Sequence, residues 1–299
     1  YVANQGSDTV SILDVSATEV IAHVPVGDRP VDVAVSPDGR LLAVAELGDD
    51  RVRMLDTVSG AAIRVFSVQD RPSGLFFTPD GRWLLVTHFL SGDVTVIPVR
   101  GFTLYLPVVL RGTDAVRAFH GLGNAATDRA RGHLRIVTWP NVAPAPSIVV
   151  DGEGARAYLP QTMASGLGLN TGFDTTVFPK VSVLNLETWS HQVSEHISLP
   201  ETDRPVGLPW EVALAAGGTE LWVVNAGSND VSVIDISDPD RPVRRAHIPV
   251  GHNPRGIAVR PDGTTAYVNN VLAGTVSVID TETYSVTAVI SVTTIPLPP

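Results

Sequence analysis

Cysteine is absent from all 299 residues. That excludes disulfides, thiolate metal sites, a cysteine nucleophile and covalent attachment of c-type haem within this chain. It leaves the compartment open, because exported proteins also do without cysteine. Aromatic residues are scarce at 6%, so a core drawn from 44% hydrophobic residues must consist mostly of Val, Ile, Leu and Ala. No apolar run approaches the ~20 residues that span a bilayer as a helix. Lys and Arg are outnumbered, 21 against 31 acids, and form no basic block. A net charge of −10 without such a block gives neither a nucleic-acid footprint nor a polybasic membrane patch. Its functional reading is repulsion of anionic partners; its plainer one is solubility. Also missing are a nucleophile elbow and a Gly-rich phosphate loop leading into a helix. The Gly-Leu-Gly stretches at 121–123 and 166–168 stand in loops without that context.

What is present is a repeat. Residues 253–292 contain four short runs of alternating apolar residues, GIAV, TAYV, TVSVI and SVTAVI. Pro261-Asp262-Gly263 separates the first two as a tight-turn signature, and Val, Ile, Thr and Tyr in the runs suit pleated, half-buried strands. The second-to-third strand segment recurs as YVANQGSDTVSILD (1–14), AVAELGDDRVRMLD (43–56), LVTHFLSGDVTVIP (85–98), WVVNAGSNDVSVID (222–235) and YVNNVLAGTVSVID (267–280). Its preceding hairpin recurs as RPVDVAVSPDGR (29–40), RPSGLFFTPDGR (71–82), LPWEVALAAGGT (208–219) and, more weakly, APSIVVDGEGAR (145–156). A four-stranded sheet cannot bury both faces alone, and four-stranded repeats of about 40–45 residues are the signature of propeller blades. The fold predicted is therefore an all-β, single-domain β-propeller of four-stranded antiparallel blades with six recognisable repeats.

The blades fall at about 1–27, 28–69, 70–141, 145–202, 208–251 and 253–292, with 293–299 as an exit linker. The third carries an insertion at 100–132, with one strand candidate inside it at 102–110 and another after it at 133–139, and the fourth a long loop at 163–180. Loops of that length in a compact domain are commonly functional. The first repeat opens inside its second strand, so the chain reads as a segment of a longer protein, in which a seventh blade has room.

Aligning the copies puts Asn4, Glu46, His88, Gln161, Asn225 and Asn270 at one position, the end of the second strand. Radial repetition should gather them on one face near the central channel. Asp32, Trp210, Glu211, His252 and Arg255, where the inner strands begin, join them as a binding face. Glu46 and His88 are the two members capable of acid–base work. The amides also suit a purely structural role, satisfying loop backbone groups. Asp235, Asp238 and Asp240 resemble an oxygen-rich cation loop but lack the glycine and distal glutamate of a calcium motif, and capping accounts for them more simply. His23 and His247 occupy equivalent outer-strand positions, which reads as repeat architecture.

At YVANQGSDTVSILD and YVNNVLAGTVSVID, with the SPDGR-type turns, the chain resembles the YVTN-repeat β-propellers over 1–99 and 145–292. That resemblance implies an extracellular, cell-surface or periplasmic interaction platform without catalysis. FDTTVFPKVSVLNLET (173–188), VVNAGSNDVSVIDI (223–236) and VTTIPLPP (292–299) are similar to bacterial propellers followed by a di-haem c-type cytochrome. By that resemblance, haem c would lie in an adjoining domain and the propeller would belong to an electron-transfer protein. Three functions stay open: a scaffold for another protein, with self-assembly as a further option; the propeller of that redox protein; and a small-molecule hydrolase or lyase using Glu46, His88 and a metal at the channel mouth.

Overall fold

The computed structural model describes residues 1–14, 19–68, 71–99, 125–128, 133–136, 144–164, 177–189, 196–199 and 206–292. The described residues form six antiparallel sheets, the blades of a β-propeller. Blade 1 comprises β1 (Val2–Asn4), β2 (Thr9–Asp14) and β3 (Glu19–Pro25). Blade 2 is β4 (Pro30–Val35), β5 (Leu41–Glu46), β6 (Arg51–Asp56) and β7 (Ala62–Ser67). Blade 3 has β8 (Pro72–Phe77), β9 (Trp83–His88) and β10 (Val94–Pro98), continued by β11 (Ala125–Asp128) and β12 (His133–Ile136). Blade 4 is β13 (Val149–Val150), β14 (Arg156–Ala164), β15 (Val177–Asn185) and β16 (His196–Ser198). Blade 5 is β17 (Pro209–Ala215), β18 (Glu220–Asn225), β19 (Asp230–Asp235) and β20 (Val243–Pro249). Blade 6 is β21 (Pro254–Val259), β22 (Thr265–Asn270), β23 (Thr275–Asp280) and β24 (Ser285–Ser291).

Three local devices recur, each written in the repeat. The Pro-Asp-Gly turns need a left-handed glycine, supplied by Gly39 (φ 72°) and Gly263 (φ 73°). In blade 2 the turn is clasped by Ser36 Oγ donating to Asp38 Oδ1 at 2.7 Å. A bulge follows the proline that opens each inner strand, between Pro30 and Asp32, Pro72 and Gly74, Pro209 and Glu211, and Pro254 and Gly256. The bulge adds one residue to the inner strand, so Val31, Ser73, Trp210 and Arg255 are displaced from the pairing. Finally, a side chain in one blade's second hairpin accepts the backbone N–H that leads into the next blade. Asp8 accepts from Arg29 (2.9 Å), Asp50 from Arg71 (3.0 Å) and Asn229 from Asn253 (2.8 Å). Both residues of each pair have positive φ, a conformation Asp and Asn tolerate better than most.

Contacts group the chain into two compact units, Tyr1–Leu159 with Ser182–Glu195, and Pro160–Val181 with His196–Pro299. In the first unit, core layers lie between successive blades. Val10 meets Val44 and Leu55; Ala45, Val52 and Met54 meet Leu84 and Val86; Leu85 and Val96 meet Ile148 and Leu184. In the second unit, Trp222, Val231 and Ile248 of blade 5 pack on Ala266, Val268 and Ile279 of blade 6. Consecutive buried apolar residues, Leu42 to Ala45 in β5, Leu84 to Val86 in β9 and Leu221 to Val224 in β18, point to opposite faces of their sheets, so each face needs a neighbour.

Two boundaries differ from the sequence reading. Within the stretch predicted as an insertion at 100–132, residues 125–128 form β11, which pairs with β12 and extends blade 3 to five strands. Residues 100–124, with the strand candidate at 102–110, lie outside the described residues. The long loop of blade 4 is narrower than 163–180, because Met163 and Ala164 continue β14 and Val177 to Lys180 open β15. Residues 165–176 between them also lie outside the described residues.

Candidate functional site

Each predicted ring residue sits where the repeat puts it, closing or near the end of the second strand, and the question is what its side chain touches. Asn4 Nδ2 donates to Thr9 Oγ1 (3.0 Å) and Ser11 Oγ (2.7 Å). Asn225 Nδ2 donates to Asp230 Oδ1 (2.7 Å) and Ser232 Oγ (3.0 Å). Asn270 Nδ2 donates to Thr275 Oγ1 (3.1 Å) and Ser277 Oγ (2.9 Å). The amide thus spans to the third strand of its own blade, and the antiparallel register that pairs Asn270 with Thr275 dictates those partners. Except for half-exposed Asn4, these groups are buried, as is Gln161 in β14.

Glu46 and His88 take the same position with different chemistry. Glu46 is fully enclosed and pairs with Arg53, whose Nε donates to Oε1 and whose Nη2 donates to Oε2 at 3.3 Å. Its extra methylene, compared with asparagine, lets Oε1 also accept Gly27 N–H at 2.8 Å, in the linker entering blade 2. The linker passes so close that a Cβ on Gly27 would collide with the Glu46 carboxylate. In blade 6, Gly251 runs equally close to Asn270, where a Cβ would lie 2.7 Å from Cγ. His88 is buried, with Nε2 2.7 Å from Thr95 Oγ1. Glu46 and His88 are therefore each engaged inside their own blade. His23 and His247 close the polar rows of blades 1 and 5, at 2.9 Å from Ser11 Oγ and 3.1 Å from Asp230 Oδ2 respectively.

The inner-strand residues divide differently. Asp32 bridges blades 2 and 3, accepting Leu75 N–H at 2.7 Å and Val33 N–H at 2.8 Å. Burial of its carboxyl group pushes the pKa up to about 6, against the lowering effect of those two bonds. The residue keeps a little exposed surface, so the cost of its charge is softened by solvent. In the second unit, Trp210 and Arg255 occupy the same bulge position in adjacent blades, and the structure brings them together. The Arg255 guanidinium carbon lies 3.5 Å from the Trp210 ring centroid. Arg255 Nε donates to Asn253 Oδ1 at 3.0 Å, and burial lowers the pKa of the guanidinium. Glu211 Oε1 turns back to its own strand and accepts Val212 N–H at 3.3 Å, while His252 is exposed.

The three aspartates of the proposed cation loop work as turn residues. Asp235 Oδ1 accepts Ser237 N–H (2.8 Å) and Ser237 Oγ–H (2.6 Å), and its Oδ2 pairs with Arg245. The Ser237 and Arg245 bonds hold its pKa down at about 2. Asp238 Oδ1 accepts the N–H of Asp240 at 3.1 Å. Among the described residues no group of three or more His, Asp or Glu side chains could hold a metal ion.

One functional group escaped the sequence reading. Lys180, the single lysine of the chain, is 2% exposed in β15, and burial lowers its pKa to about 8. Its rarity was the available signal: a residue type normally spread over the surface occurs once, within an alternating apolar strand.

Comparison with known proteins returns the same architecture. A family model described as "Lactonase, 7-bladed beta-propeller" matches residues 186–298, under half of the chain. No curated protein matches the chain in sequence. Among solved structures, hydrazine synthase of Kuenenia stuttgartiensis is similar at 21% identity and TM-score 0.58, over 93% of this chain and 91% of that one. A 6-phosphogluconolactonase candidate from Bacteroides uniformis is similar at 14% identity and TM-score 0.62, over 92% and 75%. The Swd1 β-propeller domain of Myceliophthora thermophila follows at 13% identity and TM-score 0.64, over 97% and 85%. At such identities the likeness is one of fold, and propellers carry many unrelated activities. What the chain shares with all of them is the β-propeller.

Proposed function

We propose that this chain is a non-catalytic β-propeller scaffold, working outside the cytoplasm or in the periplasm, that docks another protein domain. The observation that carries this reading is the commitment of Glu46 and His88. The two side chains best suited to acid–base chemistry are buried and bonded to Arg53, Gly27 and Thr95 within the fold. What reaches solvent is chemistry for recognition: the half-buried Trp210–Arg255 pair and the apolar side chains of β24, all of whose residues are exposed. Aromatic and arginine side chains are the residue types that carry most binding energy at protein interfaces. A c-type haem domain is the partner implied by the resemblance to propeller–cytochrome chains.

The test is capture by the immobilised chain from an extract of the source cells, with haem absorbance read on the retained fraction. The scaffold reading expects stoichiometric retention of a partner, unchanged in a folded Glu46→Gln variant. A second reading, lactone hydrolysis at the channel mouth, draws on the lactonase match over 186–298. Steady lactone turnover by the purified chain, abolished in folded Glu46→Gln, would establish that reading and sink the first.

A further inference from the structure

Arg255 differs in its setting from the arginines paired with acids. Arg53 pairs with Glu46, Arg245 with Asp235, Arg260 with Asp262 (3.0 Å) and Arg29 with Asp28 (3.5 Å). Arg255 has no acidic partner among the described residues, although it is half-buried and partly stripped of water. A dehydrated cation without a counter-charge costs stability unless something else supplies the charge. The ring of Trp210 offsets part of that cost, with the guanidinium carbon over it at 3.5 Å from the ring centroid. Asn253 takes one N–H, that on Nε. A guanidinium set over the ring and tied at Nε keeps its two terminal nitrogens as one edge. That edge is the pair of parallel donors that a carboxylate accepts in bidentate fashion. The bulges fix both side chains from the backbone, so the arrangement exists before any ligand arrives.

The surrounding charge argues for specificity. The chain carries a net −10, so acidic partners gain nothing from its overall field. An acidic group that binds here must do so through a local cation, and Glu211, the neighbouring acid, is bonded to its own strand at Val212. We propose that the Arg255–Trp210 stack is the seat of an acidic side chain in a peptide segment of the docked partner, the carboxylate on the free edge of Arg255 and the adjoining apolar residue against Trp210. This rests on the docking role and supplies its chemistry.

The test uses the purified 299-residue chain and two fluorescein-labelled pentapeptides, Glu-Phe-Glu-Phe-Glu and Gln-Phe-Gln-Phe-Gln, followed by fluorescence anisotropy. The acidic peptide is expected to bind at least about tenfold more tightly than its amide counterpart, the worth of one charge-assisted bidentate contact. Arg255→Gln should bring the acidic peptide down to the amide level. Arg255→Lys should recover part of the difference, since lysine keeps the charge but loses the fork. Trp210→Ala should weaken both peptides, with circular dichroism confirming the fold of every variant. Equal affinity for the two peptides, or an unchanged preference in Arg255→Gln, would overturn the proposal. Uptake of benzoate or inorganic phosphate with no binding of the acidic peptide would overturn the peptide assignment. Loss of peptide preference with partner capture intact would remove this seat and leave the scaffold reading standing.

Discussion

Blades 5 and 6 are near copies, WVVNAGSNDVSVID against YVNNVLAGTVSVID, yet the same face of the sheet fares differently in each. In blade 5, Trp222 pairs with Val233 and Val231 with Ile248; Trp222 is 0% and Ile248 2% exposed, covered by Ala266, Val268 and Ile279. The equivalent pairs in blade 6 are Tyr267 with Val278 and Val276 with Ile290, where Tyr267 is 37% and Ile290 51% exposed. Strand type, register and side-chain character are alike. The difference is the neighbour. In a repeat fold, a residue's energetic weight belongs to the interface it enters rather than to its own sheet.

That comparison can be broken outright by mutation. Trp222→Ala should cost about 3–5 kcal/mol, as expected for emptying a large aromatic site. Tyr267→Ala, its exposed counterpart, should cost no more than about 1 kcal/mol. Urea unfolding of both variants decides the matter, and similar losses would show that burial is not set by the adjacent blade. Next in size is Glu46→Gln, which leaves Arg53 without its counter-charge. About 2–4 kcal/mol should be lost, whereas Asn270→Ala, which breaks neutral bonds, should lose about 1–2 kcal/mol.

Asp32 extends the contrast to a charge covered by the next blade. Its pKa is raised to about 6 in the fold, from an ordinary 3.8, so its contribution to stability is fully present below the lower value. That contribution is lost as pH rises through about 6. Asp32→Asn keeps the size and an acceptor, and should therefore be more stable than the wild type by roughly 1–2 kcal/mol at neutral pH. The two should converge in acid below the ordinary carboxylate range. A gain that persists there would assign the effect to packing. The smallest effect is at Tyr284, whose hydroxyl donates to Glu220 of blade 5 across the covered face and is pushed up to about 12, chiefly by that bond. Glu220→Gln should move its titration back toward 10, read from tyrosinate absorbance.

Much of this architecture was legible in the sequence. The Pro-Asp-Gly turns, the alternation of the strands and the spacing of the copies located the sheets, because each is a local requirement of pleated hairpins. The shared strand-end position was legible too, but its duty was not weighed against the facing column. Ser11, Arg53, Thr95, Ser232 and Ser277 stand seven residues beyond their ring partners, and arginine occurs there opposite the glutamate. Reading that covariation within the repeat would have paired Glu46 with Arg53 in advance. The Trp210–Arg255 stack was out of reach, because it depends on bulges that push two side chains from neighbouring strands toward each other. Residues 163–164 and 177–180 were read as loop because they border a Gly-, Thr- and Asn-rich stretch and Pro179 interrupts the second of them, whereas pairing along β14 and β15 carries through them.

Lys180 leaves the chain with no ε-amine on its outside. Acylating reagents and lysine-directed cross-linkers should therefore find no side-chain handle while blade 4 stays closed. Once that strand parts from its neighbours the amine is rehydrated and its pKa returns from about 8 toward the ordinary 10.5, so its acylation is followed at alkaline pH. The rate of its acylation, read by mass spectrometry, then serves as a clock for the opening of a single blade.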